Sequence, residues 1–228
     1  MATSGQISFQ PNATEVAEEA FERCGLELAT GYDNETARRS MNYILTRWAN
    51  KGINLWAVSQ RRLELVASQA SYSLSSDIID IITAVILDTT SDTDINITRI
   101  SREKFLNIPN KTSTGRPSQW YLERGADHPV LNLWLTPDLT TWTFKYNAMT
   151  RLYDIGNARH DPHMPFRFYE AFVAGVAFSI ALKRPQVTTE RVMLLKAYYD
   201  ECFAEASAED RDRAPLTIIP DVSAYFRV

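Results

Sequence analysis

Cysteine is almost absent from this sequence: Cys24 and Cys202 are the only two in 228 residues. Two thiols so far apart give no disulfide framework, and the pattern predicts small buried apolar residues in a protein made in a reducing cytoplasm. A strong excess of either charge is missing as well. The 24 basic and 28 acidic residues leave a formal charge of -4. No window is dense enough in Lys and Arg to track a phosphate backbone, so tight nucleic-acid binding is not expected. No apolar run approaches the ~20 residues that span a bilayer, and the opening MATSGQISFQPNAT has neither the charged nor the apolar region of a secretory leader. The sequence is read as neither inserted nor secreted by that route. HExxH, CxxC, GxSxG, GxxxxGK and GxGxxG are all lacking, which removes the commonest metal, redox, acyl-transfer and nucleotide signatures.

What is present is an ordinary globular composition, 45% hydrophobic and 23% charged, able to bury a sizeable core. Asn12 and Glu15 have capping-box spacing, and Val16, Ala17, Ala20, Phe21 and Cys24 recur at helical intervals, predicting a helix to about Leu28. Gly31 to Asn34 interrupts, Asp33 or Asn34 is placed to cap a second helix, and its stripe of Met41, Ile44, Leu45 and Trp48 stops at Gly52. These two helices are expected to form an antiparallel hairpin.

From Asn54 the period changes to two. RRLELVASQASYSL alternates Leu63 with Leu65 and Tyr72 with Leu74 around a polar break, which predicts a β-hairpin. DIIDIITAVIL, residues 77–87, is apolar at nearly every position and β-branched, as for a strand covered on both faces. Strands are also expected over 130–137 and 140–154, with Pro137-Asp138 turning between them. In WYLERGADHPVLNLWL, residues 120–135, the two apolar bursts flanking Arg124, Gly125 and Asp127 predict a second hairpin turned at Gly125. Alternation then lets only one of Trp120 and Tyr121 face the core.

After Asp154 the helical period returns. Pro165 suits a first turn, and Tyr169, Phe172, Val173, Val176, Ala177 and Ile180 form a stripe ending at Lys183-Arg184-Pro185. Thr188 or Thr189 caps the next helix, with Val192, Leu195, Tyr199, Cys202, Phe203 and Ala206 on its apolar face, giving a second helical hairpin. The tail that follows, LTIIPDVSAYFRV, is apolar and too short to hold its own structure, so it needs something to lie against.

Chemistry is harder to find. His160, Asp161 and His163 in RHDPHMP have donor types that zinc or iron accepts, yet a loop leading into a helix uses the same letters for capping, which is the preferred reading. Glu64 with Asp77 or Asp80 can be paired on paper for glycoside hydrolysis, but no spacing singles the pair out from 28 acidic residues. Trp120, Trp134 and Trp142 could stack bases or sugars, and each sits at a strand position compatible with a core. Arg61, Arg62, Arg99, Arg102 and Lys104 interleave with acids, as interface pairs do. No catalytic, cofactor or metal residue is assigned, and no enzymatic activity or cofactor is expected.

The order of segments resembles the head-to-tail adaptor family of short-tailed bacteriophages. WANKGINLW is similar to the family's W-x-x-x-G at the end of its second helix. SYSLSSDIIDI, KTSTGRPSQWYLER and LNLWLTPD resemble its strand and turn signatures, and PFRFYEAFVAGVAFSIALK and AEDRDRAPLTIIPD its last helices and tail. Thr136 stands where the family often has Pro. Together these cover most of residues 14–221.

The resemblance implies a structural virion protein at the head-tail junction, made in the host bacterial cytoplasm. Copies would sit side by side in a ring, twelve in the family, between the portal protein and the tail nozzle, with double-stranded DNA passing through the lumen without specific binding and no membrane involved. A wall-degrading hydrolase carried in the virion, or a closure-ring or tail-tube subunit of another phage type, are the alternatives. The expected fold is α+β, with helical hairpins at both ends of a central antiparallel β region. One adaptor domain spans 1–213, with helices about 14–50 and 165–212 and the β region about 54–154, and a docking tail spans 214–228. Leu216, Ile218, Ile219, Tyr225 and Phe226 are the candidate contacts of that tail with the portal or a neighbouring subunit.

Overall fold

The computed structural model describes residues 9–52 and 55–210. The fold class is α+β, as expected. Its helical part is organised around α4 (Tyr169–Ala181), whose sequence YEAFVAGVAFSIA buries ten of thirteen residues and so has no polar face to leave in water. Three other helices cover it: α1 (Ala13–Arg23), α2 (Gly31–Asn50) and α5 (Thr189–Glu209). Gly175 allows a close approach, for a Cβ there would meet a Tyr199 ring carbon at 2.9 Å and the Ile44 side chain at 3.3 Å. Trp48, fully buried, sits among Phe168, Phe172 and Phe203, and its Nε1 donates to the Tyr199 hydroxyl at 3.0 Å.

The capping box of α1 forms as read, Asn12 accepting from the Glu15 amide and Glu15 from the Asn12 amide. For α2 the cap lies earlier than Asp33 or Asn34. Thr30 is the cap and Asp33 is its reciprocal partner in the first turn, a Thr-x-x-Asp box. Nor do α1 and α2 pair chiefly with each other, since both spend their apolar stripes on α4. The pairing of α4 with α5 matches the expected C-terminal hairpin, and Thr188 is the cap of α5. Arg23 of α1 and Tyr198 of α5 both bind Glu170 of α4, at 2.8 and 2.6 Å.

The remaining strands build two sheets. One has the order β1 (Val58–Glu64), β8 (Trp142–Thr150), β3 (Ile78–Asp88), β4 (Thr93–Asn96), all antiparallel. The other has the order β2 (Ser71–Ser73), β7 (Val130–Trp134), β6 (Gln119–Glu123), β5 (Thr98–Arg99), with only the last pair parallel. A short α3 (Arg102–Leu106) follows β5. Side chains from both sheets, among them Ile81, Ile86, Trp120, Leu131 and Phe144, form one buried cluster, so the sheets face each other as a sandwich.

Two expected turns are corners of this sandwich. RRLELVASQASYSL is no hairpin: β1 pairs with β8 and β2 with β7, and the chain between them crosses from one sheet to the other. Tyr72 closes that corner, its hydroxyl accepting from Val66 N at 2.9 Å and donating to Val66 O at 3.2 Å. Pro137-Asp138 likewise lies between strands of different sheets. The β6–β7 hairpin does form, and Gly125 is needed there because a Cβ would come within 2.5 Å of the His128 carbonyl oxygen.

The apolar run in β3 is not covered on both faces. Two register shifts against β8 let its inward residues fall at Ile78, Ile81, Ala84 and Ile86, and leave Ile82 48% exposed. Each bulge stretches an inward step from two residues to three, which is why the sequence shows no alternation. The Thr136 departure also has a local use. Its amide donates to Ser113 O at 3.0 Å, a bond no Pro could make, and its carbonyl accepts from Gly115 N at 2.8 Å. Gly115 has φ +154°, a backbone region that favours glycine.

The two cores are nested. Every residue of the helical cluster lies in 13–57 or 152–206, and every residue of the sandwich cluster lies in 63–148.

Candidate assembly surfaces

The sandwich has a base and a tip. At the base β1 and β8 meet the helices, where Thr150 Oγ1 donates to Ala57 O at 2.8 Å and Leu152 and Ile155 enter the helical core. Nine residues of β8 at ~3.3 Å each then carry the chain roughly 30 Å away from it. At the far end, the loops 65–70, 89–92 and 137–141 lie together. Ser68 N donates to Pro137 O at 2.8 Å and Thr89 N to Thr141 O at 3.1 Å. Val66 and Leu139 are each 51% exposed on these loops.

The helical end carries two further surfaces. Tyr32 and Tyr43 project from α2, 67% and 70% exposed, at either end of a groove of about 370 Å³ also lined by Thr36, Arg39, Lys183 and Arg184. Arg184 is paired with Asp33 at its edge. Lys183 Nζ donates to Ser40 Oγ at 2.6 Å, and burial followed by the nearby Arg39 and Arg184 charges lowers its pKa. The second surface is the outward side of α5, where Met193 and Leu194 are 66% and 65% exposed.

The candidates read from the sequence are dispersed. Asp77 is held by Arg61, whose hydrogen bond keeps its carboxyl below the usual range, and Asp80 is shared by Arg99 and Arg124. An acid catalyst needs the opposite shift. His160 accepts from Gly156 N at 3.3 Å and His163 packs edge-on against Tyr153, while Asp161 is exposed. Among the described residues, no three His, Cys, Asp or Glu side chains gather as metal ligands do. Of the three tryptophans only Trp120 is in the core. Trp134 and Trp142 are half-buried, their Nε1 atoms donating to Asn110 O and Asp138 Oδ1. Arg61, Arg99 and Arg102 pair with acids of their own chain. Cys24 and Cys202 are free and buried, and burial pushes the Cys24 thiol up to about 11. Leu216, Ile218, Ile219, Tyr225 and Phe226 lie outside the described residues.

A family model described as SU10 adaptor protein matches residues 14–219, spanning both cores and every element described above apart from Ala13 at the start of α1. The chain belongs to this phage head-tail adaptor family. No curated protein sequence matches it closely enough to count as a relative. The adaptor is thus a structural virion protein, and an adaptor family implies association with portal and tail proteins. No helix among its described residues is long and apolar enough to cross a membrane.

The adaptor's groove was hidden in the sequence. Tyr32, Arg39 and Tyr43 recur on α2 at steps of seven and four, away from the Met41, Ile44 and Trp48 stripe, but Lys183 reaches them only through the packing of α4. Paired carboxylates in both parts of the fold set an acid dependence. Asp33, Asp77 and Glu170 all have lowered carboxyl pKa values, through hydrogen bonds from Thr30 and Arg184, from Arg61, and from Arg23 and Tyr198. Groups lowered in the folded state stabilise it above the unfolded carboxylate value of about 4, and that contribution is lost as pH falls through the lowered values. Asp33→Asn is expected to cost the adaptor about 1.5–3 kcal/mol at pH 7, with the gap to the unsubstituted protein closing as thermal midpoints are followed down toward about pH 2. A gap that is constant with pH would show that the carboxylate charge contributes nothing.

Proposed function

We propose that this adaptor forms a closed ring beneath the portal, joins it to the tail nozzle and surrounds the DNA exit channel. The observation that carries the reading is the molecule's two-ended build. A helical bundle with an exposed aromatic groove occupies one end, and roughly 30 Å away, by strand rise, a cluster of loops with exposed Val66 and Leu139 occupies the other. A spacer between two different partners needs two such ends on a rigid body. The family membership supports it, and a net charge of -4 suits a lumen that must let phosphate pass without holding it. A hydrolase would need a carboxyl kept protonated, whereas Asp77 is kept ionised by Arg61 and Asp80 is bound by two guanidinium groups.

The test is reconstitution with the portal protein of the same genome. The isolated adaptor is expected to sediment mainly as monomer, because a single neighbour contact must offset the cost of association, and to form rings, visible by electron microscopy, once portal is added. Failure to bind the portal would overturn the reading. We also assign residues 214–228 to docking on the portal or a neighbouring subunit. Deleting residues 216–228 should leave the thermal midpoint unchanged and abolish portal binding. A large fall in midpoint with binding intact would place those residues in the adaptor's own core.

A further inference from the structure

We propose that the repeating contact of the ring is made by the outward face of α5 on one copy seated in the Tyr32–Tyr43 groove of the next. The inference rests on the ring reading above and names the surfaces it uses.

Helix α5 is apolar on two opposite sides. Leu195, Tyr199, Cys202 and Ala206 face α4 and are buried. At 100° per residue, Met193, Ala197, Ala204 and Ala208 fall on the other side, about 180° away, all exposed. A helix at the surface of a finished assembly turns a polar side to water, so an apolar outer side marks a surface that something else covers. Asp200, Glu201 and Glu205 border that outer strip, are exposed, and make no ion pair with the described residues.

The groove has the complementary character. Among the described residues, the Arg39 guanidinium donates only to Glu35 O and Thr36 Oγ1, and the Lys183 ammonium only to Ser40 Oγ, all neutral acceptors. Two cations with no acid partner among the described residues are flanked by two exposed tyrosines, and burial, followed by the Arg39 and Arg184 charges, lowers the Lys183 pKa. Tyrosine rings against alanine and methionine give close apolar contact, and the acids at the strip's border reach the cations beside it.

One copy cannot satisfy itself this way. The groove borders Lys183 and Arg184, just before α5 begins, whereas Glu201 and Glu205 lie 12 and 16 residues into the helix, roughly 18 and 24 Å along its axis. Two unlike patches on one molecule give a head-to-tail contact, the kind that closes into a ring by rotation.

Two double variants test the contact, Arg39→Glu with Lys183→Glu, and Glu201→Lys with Glu205→Lys. Circular dichroism of each monomer checks the fold, and ring yield on portal is the readout. Each variant alone should lose at least tenfold in rings, because groove and helix then carry like charge. An equimolar mixture should regain them, since every contact in an alternating ring is again between opposite charges. Zero-length carbodiimide coupling of the unsubstituted protein on portal should join Lys183 to Glu201 or Glu205 of another copy, a readout that does not depend on the variants folding. Rings formed equally well by both variants, or couplings from Lys183 to Glu18 or Glu22 instead, would overturn this contact and leave the ring standing. If the unsubstituted adaptor binds portal and never forms rings, the ring reading falls and the contact with it.

Discussion

Trp120→Ala is expected to destabilise the adaptor by about 3–5 kcal/mol, whereas Tyr121→Ala next to it should cost no more than about 0.5–1.5 kcal/mol. The two residues are consecutive on β6 and point to opposite sides. Trp120 is 1% exposed, packs edge-on against Phe144 across the sandwich and lies under the Arg99 guanidinium. Its removal leaves a void walled by both sheets, which neither can collapse to fill alone. Tyr121 is half-buried and stacks on Phe105 of α3 at a centroid distance of 5.7 Å, so its loss exposes one ring face and empties nothing. At about 2–4 °C per kcal/mol for a chain of this size, calorimetry should place the Trp120 variant about 6–20 °C below the unsubstituted protein. Equal small losses at both positions would put residues 119–123 on the surface and remove the sandwich as described.

The helical core has its own single point of failure. Trp48→Ala should also cost about 3–5 kcal/mol, for it withdraws the ring that Phe168, Phe172 and Phe203 all contact and leaves the Tyr199 hydroxyl without its buried donor. Trp48→Phe separates the two contributions. It restores most of the ring volume and still orphans the hydroxyl, and a residual cost of about 1–3 kcal/mol is expected from the unmet polar group. Urea unfolding of the pair measures both. A Trp48→Ala cost under about 1 kcal/mol would mean that α2, α4 and α5 close over the gap.

Periodicity identified which side of each element is apolar and could not say against what. The stripes of α1, α4 and α5 were legible because a helix that buries one face repeats its apolar residues whatever it packs on. The partner of α1 was not, since Val16 and Phe21 suit α2 and α4 equally well until α4 is seen to be apolar all round. The β6–β7 hairpin was legible through Gly125. The corner at 65–70 was misread as another hairpin because Leu63 and Tyr72 point into one core from opposite sheets, and alternation looks the same either way. Bulges hid the exposed side of β3, and the Thr30 cap was overlooked although Thr-x-x-Asp was present. Of the candidate assembly surfaces, the groove needed Arg39 and Lys183 brought together across 144 positions. That is information no local window contains.

The nesting of the two cores bears on the order in which the chain can take shape as it leaves the ribosome. Residues 13–57 emerge first, yet the side chains that complete their core, from Leu152 through Ala206, emerge last. The strands and the buried cluster of the sandwich all lie within 58–150, so it is available as a folding unit while α1 and α2 still wait with Phe21, Met41 and Trp48 uncovered. Its β1 and β8 are neighbours, so a formed sandwich also holds the chain at Ala57 beside Thr150. The sandwich thereby acts as a clamp that shortens the effective loop between the two halves of the bundle and reduces the entropy lost when α4 arrives to join them.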